Sequence, residues 1–165
     1  MKRPLSLFSL LFLLTGCTGS SSEEAVDYKL LASENQLTAE FAEIASGDHE
    51  EVDFSRYVFL AENDEEFNKA FSTLNYQEEI PDNNFSSNSV LIVALYESGC
   101  QAELMEIFRE KEDPRLHVSV EEPDGDCKTI ANPRSFIISL PKTETNDMEE
   151  VVLIDDGEES VISFN

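Results

Sequence analysis

The chain has 165 residues, of which 11 are basic and 35 acidic, giving a formal charge of −24 at pH 7. Such an acid excess, with no basic stripe to offset it, repels phosphate backbones and anionic lipid head groups, so nucleic-acid binding and charge-driven membrane attachment are excluded. An apolar content of 41% is adequate for one domain with its own core.

Behind Lys2 and Arg3 runs an uncharged, largely apolar stretch that ends at Leu14-Thr15-Gly16-Cys17. A basic start, an apolar centre and small residues before the cut have the layout of a removable export signal. The stretch falls short of the about 20 apolar residues that span a bilayer, and Thr18, Gly19 and three serines follow Cys17 at once. The tetrapeptide resembles the lipobox of bacterial lipoproteins. That resemblance implies loss of residues 1 to 16 and a diacylglycerol on Cys17, and two or three acyl chains make a lasting tether. The expected location is therefore the bacterial cell envelope, lipid-anchored. Thr18, where many enterobacterial proteins kept at the inner membrane have an aspartate, favours the outer membrane if the cell has one, and otherwise the outer face of the cell membrane.

Loss of the signal leaves 9 of the 11 basic residues against all 35 acidic ones, a formal charge of −26. The excess reads first as a solvated surface and second as a face for a basic partner or divalent cations. With Cys17 taken by lipid, Cys100 and Cys127 become an even pair in a compartment where disulfides persist, and a bond between them is expected. Free thiols acting as metal ligands or nucleophiles are the alternative, but neither cysteine has a histidine or second cysteine at ligand spacing.

Residues 18 to 26 read as a short, charged, flexible spacer, and 27 to 165 as a single globular domain. Tyr57 to Leu60 reads as a strand. Asn63 is placed to cap a helix with an acidic first turn at Asp64, Glu65 and Glu66, and Phe67, Ala70, Phe71 and Leu74 fall on one face of it. Pro81 to Asn84 break the chain before Val90 to Tyr96, whose continuous apolar run belongs at the centre of a sheet. Leu116, Val118 and Val120 alternate with His117 and Ser119, which predicts a half-buried strand with His117 exposed. Phe136 to Leu140 is a further strand, closed by Pro141. Val151 to Ile154, the Asp156-Gly157 turn and Val161 to Phe164 read as a hairpin. Thr38 to Ala45 and Gln101 to Lys111 are ambiguous, with helical propensity and helical apolar spacing in both. The fold class expected is α+β, a mainly antiparallel sheet with one helix, about residues 63 to 74, packed on it.

From Phe41 to Lys142 the order of elements resembles the C-terminal domain family of the protease-complex subunit PrcB and related small lipoproteins. It runs through the Phe41 to Gly47 segment, the Asn63 helix, the Val90 strand, Glu97-Ser98-Gly99-Cys100, the Leu116 strand, a Pro-Asp-Gly-Asp-Cys turn and Ser135 to Lys142. The resemblance implies that both ambiguous stretches are strands. It also implies a non-catalytic, exported interaction or accessory module that binds or stabilises another envelope protein. The acidic face, a sheet edge, or the loop around Gly99 and Cys100, with Glu97, Ser98 and Gly99 as candidate partner-binding residues, is the expected contact. Where the family commonly has a glycine pair and an aromatic, this chain has Gly99 and Cys100, and a disulfide would replace the aromatic packing.

A search for chemistry gives no catalytic residue, cofactor or metal site. Nucleophilic hydrolysis wants a serine or cysteine beside an oriented histidine, and the chain has two histidines. His49 lies in Gly47-Asp48-His49-Glu50-Glu51, which reads as a solvated loop. No Gly-x-Ser-x-Gly elbow or phosphate-cradling loop is present. Asp124-Gly125-Asp126 and Asp155-Asp156-Gly157-Glu158-Glu159 lack the calcium-loop spacing and read as turns. An envelope hydrolase, or a proteinaceous protease inhibitor, is the alternative to an interaction module.

Overall fold

The computed structural model describes residues 23–35, 56–76, 79–111, 113–128 and 130–164. His49 and the 38–45 stretch lie outside the described residues, as do the signal and Cys17. In chain order the elements are β1 (Glu23–Ala25), β2 (Lys29–Glu34), β3 (Tyr57–Ala61), α1 (Asp64–Thr73), β4 (Asn88–Glu97), β5 (Glu103–Glu110), β6 (Asp113–Glu121), β7 (Asn132–Pro141), α2 (Lys142–Thr145), β8 (Glu150–Asp155) and β9 (Glu158–Ser163). They build a five-stranded sheet, β1-β5-β6-β8-β9, and a four-stranded sheet, β2-β7-β4-β3. All pairings are antiparallel except β6 with β8. A parallel pair cannot be closed by a tight turn, and here the chain crosses into the other sheet as β7 and returns through α2 before β8. The expected α+β class holds.

The sheets pack face to face. Val58, Leu91, Val93, Leu95, Phe136 and Ile138 meet Ile107, Leu116, Val118, Val151 and Leu153 in one cluster. A second cluster lies on the far side of the four-stranded sheet, where Phe67, Ala70, Phe71 and Leu74 meet Val90, Ile92, Ala94 and Ile137. Strands β4 and β7 are thus buried on both faces, which is why the Val90 to Tyr96 run is apolar without alternation. Asn63 caps α1 by accepting the Glu66 N–H at 3.0 Å, and the Glu66 carboxylate reaches back to the Glu62 N–H at 2.8 Å. The helix stops where Asn75 turns to φ 50°. At the β8–β9 hairpin, Asp156 and Gly157 both have positive φ (48° and 81°), the backbone that a two-residue turn between twisted strands requires.

Two expectations are corrected, and one open alternative is decided. Glu23–Ala25, read as part of the spacer, pair with β5, and Val26 is buried, so ordered structure begins within that segment. Gln101 to Lys111, ambiguous between helix and strand from its residues and extended in the reading that the resemblance implies, contains β5, paired with β1 on one side and β6 on the other. Its register shifts between Leu104 and Glu106, and that bulge lets Leu104 and Ile107 face the same core at a spacing of three. His117 is 3% exposed and stacks on Phe108 at 5.0 Å, because the outer face of the five-stranded sheet is buried there as well as the inner.

Candidate functional site

The Glu97 to Cys100 loop begins where β4 runs out. Glu97 is 4% exposed and turns inward, where its Oε2 accepts from Arg134 Nε at 2.7 Å and its Oε1 accepts from Nη2 at 3.0 Å. Register makes this possible: Arg134 sits opposite Leu95 on β7, two places along the same face from the residue opposite Glu97. The pair is forked and nearly dry, and Arg134 also donates to Ser33 Oγ at 3.2 Å, tying in β2. The same Glu97 Oε2 accepts the Ala102 N–H at 2.7 Å and so fixes the far end of the loop. Removing either charge would strand the other in a medium that solvates it poorly.

The middle of the loop is held from the other sheet. The Ser98 N–H and hydroxyl both donate to the Glu122 carboxylate, and Ser98 Oγ accepts the Cys100 N–H at 3.2 Å. Gly99 donates to the Lys128 carbonyl at 2.9 Å. A Cβ at Gly99 would stand 2.8 Å from Lys128 Cβ and 2.9 Å from its backbone nitrogen, so the close approach itself demands glycine. Cys100 is bonded to Cys127 with the Cα atoms 5.2 Å apart, as expected from the even pair. Of the candidate partner-binding residues, Glu97 is consumed by internal pairing, Ser98 is pinned by Glu122, and Gly99 alone is exposed.

Beside this loop a shallow concavity of about 500 Å³ is lined by Glu121, Glu122, Pro123, Asp124, Gly125, Asp156 and Gly157. It brings the two acidic stretches of the sequence together, with Asp156 Oδ1 accepting the Glu122 N–H at 2.9 Å. Among the described residues no group of three or more potential ligands is arranged to hold a metal ion. A second concavity, also about 500 Å³, is lined by residues including Arg109, Arg115 and the 146–150 segment. Its cations are committed: Arg109 donates to the Glu144 carboxylate at 3.2 Å, and Arg115 Nε is 2.9 Å from Asp113 Oδ1. Arg115 draws the Asp113 carboxyl down to about 2 by donating to it. Burial pushes the Tyr57 and Tyr76 hydroxyls above their ordinary range. The His117–Asp113 separation is 3.7 Å, and neither imidazole nitrogen makes a hydrogen bond.

The family model for the prokaryotic membrane lipoprotein lipid attachment site matches residues 1–18. The chain is a lipid-anchored protein of the cell envelope. The signal and the anchor expected from Leu14-Thr15-Gly16-Cys17 are supported by that match, which includes Cys17. No curated protein and no solved structure matches this lipid-anchored chain. The matched region stops well short of Phe41, so the resemblance to the PrcB C-terminal domain family draws no support from it.

Proposed function

We propose that this protein is a non-catalytic interaction or accessory module, held by a lipid on Cys17, that binds or stabilises another protein of the envelope. A protease complex is the partner class implied by the resemblance from Phe41 to Lys142. Thr18 favours the outer membrane in a cell that has one. What supports the non-catalytic reading is where the reactive residue types sit. Glu97 is neutralised by Arg134, Ser98 is held by Glu122, Cys100 is oxidised, and His117 lies flat on Phe108 within a sheet. Each is engaged in the fold, and His117, the residue type best suited to move a proton at neutral pH, is buried in the sheet and lines neither of the concavities described above.

Affinity capture from crosslinked envelopes tests the proposal. The same protein recovered in repeated captures of the lipidated chain is the expected result. Recovery of the anchored protein with no repeated companion would contradict it.

A further inference from the structure

Resting on that interaction reading, we infer that the outer edge of β9 is a docking strand for an extended, basic segment of a partner protein, which adds to the five-stranded sheet as a sixth strand. Among the described residues the two sheets have four edge strands, and three of these are blunted. β1 has three residues. β2 is broken by a register shift between Leu30 and Ala32, and β3 is buried over most of its length. Short, bulged or covered edges are the usual defences against strand addition. β9 has six residues in unbroken register with β8.

The hairpin fixes which backbone groups are free. A two-residue turn makes Asp155 and Glu158 a hydrogen-bonded pair, so Glu158, Ser160 and Ile162 direct their N–H and C=O groups at β8. The pattern continues one step further, where the Phe164 N–H donates to the Glu149 carbonyl at 3.0 Å. Glu159, Val161 and Ser163 therefore direct theirs away from the sheet, and among the described residues no strand pairs with them. Val161 is 53% exposed, more than any other large apolar residue described. An edge offering three donors and three acceptors in a row around an exposed valine is a template for an added strand.

Charge selects the occupant. Glu149, Glu150, Asp156, Glu158 and Glu159 lie on or beside this hairpin, while the cations placed near it are taken: Arg56 by Asp155 at 2.9 Å and Arg115 by Asp113. A second copy of the chain would bring two bodies of strongly negative charge together edge to edge, with like charges close to the seam. A segment alternating lysine or arginine with apolar residues meets the same edge with attraction.

The test uses the mature, lipidated protein in non-ionic detergent, with a short peptide alternating lysine and valine as probe. Hydrogen exchange of the Glu159, Val161 and Ser163 amides should slow when the peptide is added. The same peptide N-methylated at alternate residues, equal in charge but unable to pair, should give no protection. Val161→Pro removes only an outward N–H, which an edge strand tolerates, and should weaken binding about 5-fold through the loss of one backbone hydrogen bond. The Glu158→Lys/Glu159→Lys double variant, which leaves the backbone intact, should weaken it too and flatten the salt dependence. Equal binding of the methylated peptide, unchanged binding by Val161→Pro, or protection that rises with protein concentration without peptide would each overturn the assignment. Envelope capture separates the two levels: a partner recovered equally by wild type and Val161→Pro removes the β9 assignment alone, and no repeated partner for wild type removes the interaction reading itself.

Discussion

Breaking the Glu97–Arg134 pair is the sharpest perturbation the fold offers. In Glu97→Ala the Arg134 guanidinium, with its side chain 7% exposed, keeps its link to Ser33 but loses both bonds to the carboxylate, and the Ala102 N–H loses its acceptor. Stranding one partner of a buried pair costs about 3–5 kcal/mol, a range that already contains most of the orphaned amide. For a domain of this size that corresponds to a fall in Tm of about 8–15 °C. Urea unfolding at pH 7, with the disulfide intact, reads the loss directly. Arg134→Met should cost a similar amount by stranding the carboxylate. The Glu97→Leu/Arg134→Met double variant should recover much of the loss, because a buried pair replaced by apolar groups is often close to neutral. Single variants that each cost less than about 1 kcal/mol, as solvated pairs do, or a double variant equal to the sum of the singles, would refute the argument that this carboxylate is buried, paired and structural.

Replacing Cys100 and Cys127 together by serine should lower stability by about 3.5 kcal/mol on the chain-entropy model for a loop of 27 residues, and urea unfolding of wild type with added reductant should show a comparable loss. Gly99→Ala should cost about 1–3 kcal/mol, since the new methyl meets Lys128 backbone and Cβ and one strand end must move; an unchanged unfolding midpoint would contradict the close approach. The Asp113 carboxyl, held at about 2 by Arg115, lies below its unfolded value of about 4, so the stability it contributes is present above pH 4 and is lost as pH falls from about 4 through 2. Carbon-detected NMR titration of Arg115→Gln should move Asp113 up toward the ordinary carboxylate range, and a midpoint that stays near 2 would assign the depression to another cause.

How much of this was legible depended on whether the signal was local. The Asn63 cap, the α1 stripe and the positive-φ Asp156-Gly157 turn are each fixed within a few residues of chain, and each was read correctly. The Val90 run announced a strand buried on both sides. β5 was obscured because its bulge moves Leu104 and Ile107 onto one face at a spacing that mimics a helix turn. His117 was misplaced because alternation marks one buried face of a strand, and nothing nearby shows that the opposite face is buried too. β1 is an exposed three-residue edge strand beginning with two glutamates, and such a strand carries no apolar pattern to read. The loop after β4 is legible in the sequence, but its bracing is not: Glu97 and Arg134 are 37 residues apart, and only the β4–β7 register brings them together. An acid excess gave no hint of which carboxylate would be buried.

The claim on which everything else depends is that the body is carried outside the cell on a lipid at Cys17. Intact-mass and N-terminal peptide analysis of the native protein, purified from the membrane fraction, tests it most directly. The expected species is a chain that begins at Cys17, heavier by a diacylglyceryl group with or without a further acyl chain, with Cys100 and Cys127 oxidised. An unmodified chain that retains Met1 and is recovered from the cytosol with both thiols reduced would contradict it.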